Sequence, residues 1–342
     1  GPGTSVVYTI LNSATTPGLS LASDTGSNAS DGLTNNATIN VSGLGSGASW
    51  TFSVDGGTWV SGTGSSFLAT TGAHSYRVRQ VDLAGNTSEI SGQPIYTLDI
   101  VAPTTVPSLS LATDTGLSAT DGITNVGLVR VNLANQEVGA TWAYQVDGSG
   151  AWLTGNSGST FLASTGLHTY TVRQVDLAGN AGSASTGVAY TFDNVAPTAT
   201  LTSTTITASG SVVVRSNEAS GNVYLVKNSV SVSSLSSIPG ADAGLWKMVS
   251  VAQANVDINL SAAGLLPGTY NAFAMDTAGN LSVSSSNTIT ITLPSVSLSA
   301  IANGTGGYVI NSSTTNMRLG EYVTSAGDIN GDGMGDFIIG SG

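Results

Sequence analysis

The chain repeats itself, and that constrains its fold more than any other feature. The segment Leu19-Ser-Leu-Ala-Ser-Asp24-Thr-Gly26 returns as Leu109-Ser-Leu-Ala-Thr-Asp114-Thr-Gly116, and Asp31-Gly-Leu-Thr-Asn35 returns as Asp121-Gly-Ile-Thr-Asn125, both at an offset of 90. By Phe67 and Phe161 the offset is 94, and it holds through Tyr76/Tyr170, Asp82/Asp176, Asn86/Asn180, Asp99/Asp193 and Pro103/Pro197. The added residues enter near Gly45 and the Trp59 turn, where loops tolerate insertion. A third, divergent copy, Tyr270-Asn-Ala-Phe-Ala-Met-Asp276-Thr-Ala-Gly-Asn280, matches at an offset of 100 but lacks the Asp-Thr-Gly and Asp-Gly-x-Thr-Asn blocks. A period this long is a domain rather than a solenoid unit, so the chain is expected to be an array of similar domains.

Within a repeat, Tyr76, Val78 and Gln80 alternate with Ser75, Arg77 and Arg79, the period of two of a half-buried strand. Similar runs at Ile39–Val41, Trp50–Val54, Ser66–Ala69 and Ile95–Leu98 are punctuated by Gly and Asp-Gly. No segment has helical periodicity. About seven strands per repeat predict an all-β chain of tandem immunoglobulin-like Greek-key β-sandwiches in an elongated array, followed by a short C-terminal β segment. The expected division is 16–103, 104–197, a divergent 198–293, and a partial segment at 294–342. Residues 1–15 are expected to hold a tag scar (Gly1-Pro2) and the last strand of a preceding, truncated repeat, because Tyr8-Thr-Ile resembles Tyr96-Thr-Leu and Tyr190-Thr-Phe. Both ends are then artificial boundaries.

Composition narrows the chemistry. With no cysteine there is neither a disulfide framework nor a zinc-thiolate site, so small sandwiches need another staple. Only 8% of residues are charged, and a net charge of −12 disfavours nucleic acid and anionic membranes as partners and favours hard cations. No apolar run approaches the roughly 18 residues that span a bilayer, so no membrane insertion is expected.

The carboxylates are ordered. Of sixteen aspartates, ten form five matched pairs: 24/114, 31/121, 55/147, 82/176 and 99/193. Aspartate is a poor strand former and belongs in loops. Strands of a sandwich run alternately up and down, which places Asp24, Asp31 and Asp99 at the trailing pole of the first repeat. The Asp176–Asn180 loop then caps the leading pole of the second. Since Asp99-Ile-Val-Ala-Pro103 is the whole linker, these groups face one another, and crowded carboxylates repel unless neutralised. Calcium, which takes six to eight oxygens, suits such a set. One interdomain site is therefore expected from Asp99 and Asp176 with Asn180 or backbone carbonyls, and a second from Asp193 and Asp276 with Asn280. Asp24 with Asp31, and Asp114 with Asp121, either form sites within their own loop, join the junction or serve the loop's structure. Asp82, Asp176 and Asp276 are calcium ligands or turn residues bonding their own backbone. Leu293-Pro294 carries no linker aspartate, and no calcium bridge is expected there.

Other paired residues have plainer readings. Asp55-Gly56 and Asp147-Gly148 fit hairpin turns. Pro103 and Pro197 stiffen the linkers. Trp50/Trp142 and Trp59/Trp152 read as packing rather than a sugar platform, and His74 and His168 as structural, so no catalytic triad and no enzyme is expected.

Near the C-terminus, Asp328-Ile-Asn330-Gly-Asp332-Gly333-Met334-Gly-Asp336 places oxygen side chains at loop positions 1, 3, 5 and 9, glycine at 6 and the Met334 carbonyl at 7. This is EF-hand-like spacing, with Ile339 where glutamate would stand at position 12, and the loop is expected to bind calcium. Gly320–Gly327 before it and Phe337-Ile-Ile-Gly340 after it read as strands.

Taken in order, Asp-Thr-Gly, Asp-Gly-x-Thr-Asn, Asp-Leu-Ala-Gly-Asn and Tyr-Thr-x-Asp-x-Val-Ala-Pro resemble the bacterial Ig-like repeats of giant RTX-type and biofilm-associated adhesins, well over 16–197 and more loosely over 198–292. Residues 304–342 resemble one FG-GAP repeat, the blade unit of integrin-type propellers; one blade cannot close a propeller, so propeller ligand binding is not carried over. The resemblance implies a secreted protein of the bacterial cell surface, a monomer whose partners are its neighbouring repeats. Its role would be a calcium-stiffened extender that holds a binding domain away from the cell. The alternative is a module that binds an extracellular glycan or protein directly, through 198–293 or the C-terminal segment.

Overall fold

The computed structural model describes residues 12–202, 204–293, 299, 303, 319–327, 329 and 336–341. It is an all-β chain in which one two-sheet plan occurs three times. In module 1 the strands are β1 (Gly18–Leu21), β2 (Leu33–Thr34), β3 (Thr38–Ser42), β4 (Ser49–Val54), β5 (Val60–Ser61), β6 (Ser66–Leu68), β7 (Gly72–Val81) and β8 (Ile95–Leu98). They form a three-stranded sheet, β1-β3-β6, packed on a five-stranded sheet, β2-β8-β7-β4-β5. The count is eight rather than about seven. Two-residue strands such as β2 and β5 are too short to display a period of two, so they read as loop.

Alternation on β7 places Tyr76, Val78 and Gln80 inward, each no more than 1% exposed, and Arg77 and Arg79 outward. Val41, on β3 of the facing sheet, and Trp50, on the neighbouring β4, pack with Val78, and Ile39 on β3 is fully buried. Each large apolar side chain so buried contributes about 1.5 to 3 kcal/mol. The Trp50 indole N–H donates to the Gly64 carbonyl at 2.9 Å, which satisfies its one polar atom. β2 pairs parallel to β8, with Thr34 opposite Leu98, because the chain crosses from one sheet to the other between β1 and β2.

Module 2 repeats the plan with β9 (Ser108–Leu111), β10 (Ile123–Thr124), β11 (Leu128–Asn132), β12 (Thr141–Val146), β13 (Leu153–Thr154), β14 (Thr160–Leu162), β15 (Gly166–Val175) and β16 (Val188–Phe192). Its sheets are β14-β11-β9 and β10-β16-β15-β12-β13. Module 3 comprises β17 (Ala199–Leu201), β18 (Thr205–Thr207), β19 (Ser211–Ser216), β20 (Asn222–Lys227), β21 (Trp246–Ser250), β22 (Ile258–Ser261), β23 (Gly268–Met275) and β24 (Ile289–Thr292), in sheets β17-β19-β22 and β18-β24-β23-β20-β21. The long β20–β21 connection holds two single 3-10 turns, Leu235–Ser237 and Ala243–Leu245. It covers the outer face of the larger sheet: Val223 and Leu225 point into the sandwich, while Tyr224 and Val226 pack outside with Ile238 and Met275. Strand β20 is therefore a continuous apolar run, as expected of a strand covered on both faces.

A buried glutamine ties each of the first two linkers to its sandwich. Gln80 donates to Thr15 O at 2.6 Å and Gly43 O at 2.9 Å and accepts from Gly45 N at 2.8 Å. Gln174 donates to Thr105 O at 3.0 Å and accepts from Glu137 N at 3.3 Å. Ala274 occupies this position in module 3. Beyond the modules, β25 (Leu319–Gly327) and β26 (Asp336–Ser341) pair as an antiparallel hairpin, flanking the C-terminal loop as its sequence suggests.

Candidate metal centres at the module junctions

Each junction gathers three carboxylates from three loops. Asp99 directly follows β8, and its Oδ1 accepts from Val101 N at 2.9 Å, a turn that aims the linker away from the sheet. Asp176 directly follows β15 and is 2% exposed. Its Oδ1 accepts from Asn180 N at 2.7 Å and its Oδ2 from the Asn180 side-chain amide at 2.8 Å. The same amide nitrogen donates to the Asp99 carbonyl at 2.8 Å, reaching across the junction. Glu137 enters from the β11–β12 connection. One oxygen each of Asp99, Glu137 and Asp176 lies within 4.8 Å of the others.

The second junction has the same construction. Asp193, Glu218 and Asp276 bring one oxygen each within 4.8 Å of one another. Asp276 accepts from Asn280 N at 2.9 Å and from its side-chain amide at 2.8 Å, and that amide donates to the Asp193 carbonyl at 2.9 Å. Burial first, and then the charges of Asp276 and Asp193, push the Glu218 carboxyl above its ordinary value. Three like charges at this spacing repel by between about 1 and 3.5 kcal/mol per pair, from a water-like dielectric to an effective 20. No described ion pair involves these six residues.

The donor set is all oxygen, which selects a hard cation over zinc or copper. Oxygens sharing one calcium at 2.3 to 2.6 Å cannot lie more than about 5 Å apart. Both groups meet that condition. Asn180 and Asn280 act here as hydrogen-bond donors that orient the buried carboxylate.

The glutamates were not singled out by the sequence pairing. Glu137 lies in the insertion that distinguishes module 2 from module 1, whose corresponding loop, Gly43–Ala48, has no acid. Glu218 lies in the divergent repeat. The available signal was positional: both sit in the loop just before the strand, β12 or β20, that pairs with β15 or β23.

Asp82 has the same local turn as Asp176, with Oδ1 accepting from Ala84 N and Asn86 N at 2.9 Å. The hydrogen bond from the Asn86 side chain leads the effects that hold its carboxyl below the usual range. Among the described residues no other acid joins it, and it borders a cavity of about 260 Å³ with Thr15, Gly45, Gln80 and Leu83. Nor do the first-loop aspartates enter either acidic group. Asp24 Oδ2 accepts from Gly32 N and Asp114 Oδ2 from Gly122 N, both at 3.0 Å, while exposed Asp31 and Asp121 accept from Leu33 N and Ile123 N. Asp24 Oδ1 and Asp114 Oδ1 are buried with no described partner.

The hairpin aspartates have another role. Asp55 and Asp147 take φ of +50° and +54° ahead of glycine, and their Oδ2 atoms meet His74 Nδ1 at 2.6 Å and His168 Nδ1 at 2.8 Å. Trp59 and Trp152 lie beneath the Arg79 and Arg173 guanidinium groups, at 4.2 and 4.0 Å from the ring centroids. Of the C-terminal loop, Asp328, Asn330, Asp332 and Met334 lie outside the described residues; Asp336 opens β26 and accepts from Ile329 N at 2.7 Å.

No protein-family model matches the sequence, and no curated protein matches it. Similar solved structures include the FN1–FN3 domains of chicken CNTN1, at 13% identity and a TM-score of 0.30, covering 82% of this chain and 99% of that one. A tetra-tandem repeat in the extending region of a large adhesion protein is similar at 15% identity and a TM-score of 0.25, covering 81% and 74%. A Ca2+-stabilised adhesin with which an Antarctic bacterium reaches out and binds ice is similar at 19% identity and a TM-score of 0.26, covering 82% and 75%. No helix among the described residues is long and apolar enough to cross a membrane.

Proposed function

We propose that this chain is a calcium-rigidified extender of a secreted, RTX-type bacterial cell-surface adhesin, a stalk that projects a binding domain for adhesion or biofilm formation. The observation that supports this best is the carboxylate triad, occurring twice, each time with one acid from the module before the linker and two from the module after it. Asp99, Glu137 and Asp176 would hold one calcium ion, and Asp193, Glu218 and Asp276 the other. Bound there, the ion supplies two positive charges and further coordination positions for backbone carbonyls or water.

The chain's own residues do the rest. Asn180 and Asn280 fix the buried aspartate and hold the linker carbonyl beside it, so two of the three acids are oriented before any ion arrives. Gln174 holds the linker and the Glu137 loop together. With the ion, attraction across each linker replaces repulsion, and jointed modules become a rod. Asp24, Asp31, Asp114, Asp121 and Asp82, together with the Asp328–Asp336 loop, are further candidate ligands within modules and at the C-terminal hairpin.

Small-angle scattering with calcium and with chelator tests the reading: chelator is expected to shorten the maximum dimension and broaden the profile. Superimposable profiles, with no heat of calcium binding by calorimetry, would overturn it.

A further inference from the structure

The same junctions contain a contact that uses no carboxylate. Thr25 Oγ1 of module 1 donates to the Ala178 carbonyl of module 2 at 2.6 Å, and Ser27 N donates to Leu177 O at 3.4 Å. A Cβ on Gly26 would lie 1.9 Å from Leu177 O, and one on Gly179 would lie 3.0 Å from Gly26 N. The two backbones therefore touch, through glycines at φ of +92° and +93°. The second junction repeats this. Thr115 Oγ1 donates to Ala278 O at 2.8 Å, Leu117 N to Thr277 O at 3.3 Å, and a Cβ on Gly116 would lie 1.9 Å from Thr277 O.

Each plug is braced from within. Asn35 N donates to Thr25 Oγ1 and Asn125 N to Thr115 Oγ1, both at 2.8 Å, and Asp24 and Asp114 hold the returning turn through Gly32 N and Gly122 N. The Asp-Thr-Gly and Asp-Gly-x-Thr-Asn blocks are thus one device, and module 3, which lacks them, has no plug of this kind.

We infer that this loop is a docking plug whose partner is the Asp-x-Ala-Gly-Asn loop of the following module, and that it sets the angle between modules without any metal. Its contacts across the junction are a threonine hydroxyl bond to a main-chain carbonyl, one main-chain hydrogen bond and van der Waals apposition, none of which involves a carboxylate. The inference does not rest on the calcium reading.

Because the chain has no cysteine, introduced cysteines can be spin-labelled uniquely. Leu68→Cys with Leu162→Cys, both exposed, spans the first junction, and Leu162→Cys with Val283→Cys spans the second. In chelator, pulsed electron resonance on the full chain is expected to give one distance peak across the first junction, at the position it has in calcium and broader than there, because the plug sets the preferred angle and the ion narrows the spread about it. Gly179→Ala is expected to abolish that peak and leave the second pair unchanged. Gly85→Ala, at φ of +88° with no described atom within 4 Å of the added carbon, carries the same backbone strain and is expected to keep it. Thr25→Val, isosteric but without the hydroxyl that bonds both Ala178 O and Asn35 N, is expected to broaden the peak further. A wild-type distribution with no preferred distance in chelator, which gains one only with calcium, would overturn the plug and leave the calcium reading standing. A peak that is narrow in chelator, lost in Gly179→Ala and indifferent to calcium would do the reverse. A peak still present in Gly179→Ala also overturns the plug.

Discussion

The side-chain nitrogen of Asn180 stands 2.8 Å from the Asp99 carbonyl and 2.8 Å from Asp176 Oδ2, so a single amide joins the end of one module to the buried acid of the next. Asn280 does the same for Asp193 and Asp276. Removing it by Asn180→Ala is expected to weaken calcium binding at the first junction about 10- to 100-fold, as for other residues that orient a ligand. Calorimetry would then resolve one weakened and one unchanged junction site.

Glu137→Gln is expected to act in opposite directions with and without metal. In chelator it removes two repulsions from the triad, and the melting temperature should rise. In calcium it removes a ligand, and both the melting temperature and the affinity should fall. Glu218→Gln should do the same at the second junction. Equal shifts in both buffers would contradict the assignment.

Acid should report on Glu218. Its folded-state pKa is raised, so between that value and the ordinary glutamate value the folded state binds more protons than the unfolded one. Stability in chelator is then expected to rise as pH falls through the raised value, because protonation removes a charge from a partly buried carboxyl and relieves its repulsion from Asp276 and Asp193. Calcium affinity should fall over the same range, since proton and ion compete. Chelator melts from neutral pH to about 4.5, compared with those of Glu218→Gln, check the sign.

The two histidines should titrate above the ordinary range. Hydrogen bonds to Asp55 and Asp147 lead the effects that raise them; in turn His74 leads the lowering of the Asp55 carboxyl, while the Thr169 backbone N–H, followed by His168, lowers that of Asp147. The histidine contribution is present below the unfolded value of 6.5 and is lost as pH rises through the folded one. The aspartate contribution is present above 3.8 and is lost as pH falls through the depressed value. The hairpins should therefore be firmest between those limits. Proton resonances of both imidazoles, with Asp55→Asn returning His74 toward 6.5, test this.

Gln174→Leu keeps the volume but leaves Thr105 O and Glu137 N without their buried partner. The expected cost is about 1 to 3 kcal/mol, read as a lower melting temperature for module 2. A looser Glu137 loop should also weaken calcium binding at the proposed first site.

How much of this was legible in the sequence depends on what each residue answers to. Tyr76, Val78 and Gln80 answer to the pleat, so their alternation placed β7 and its faces directly. The meeting of Asp99 with Asp176 followed from strand direction and a five-residue linker. Glu137 did not follow, because it sits in an insertion with no counterpart to align, and its place is set by how that loop folds over Gln174. The Asp-Thr-Gly block drew attention to its acid, whereas the contact across the junction is made by the threonine and the glycine. Their role depends on the distance between two backbones, which no composition or spacing encodes.

The Asn180 and Asn280 contacts join unlike poles, the tail of one module to the head of the next. Such heterologous contacts have no symmetry axis that closes them. Repeating one generates a screw, whose rotation and advance per step are set by the joint alone. A change of a few degrees at Gly26 or Gly116 would then accumulate with every module, altering the pitch of the whole assembly more than the shape of any part.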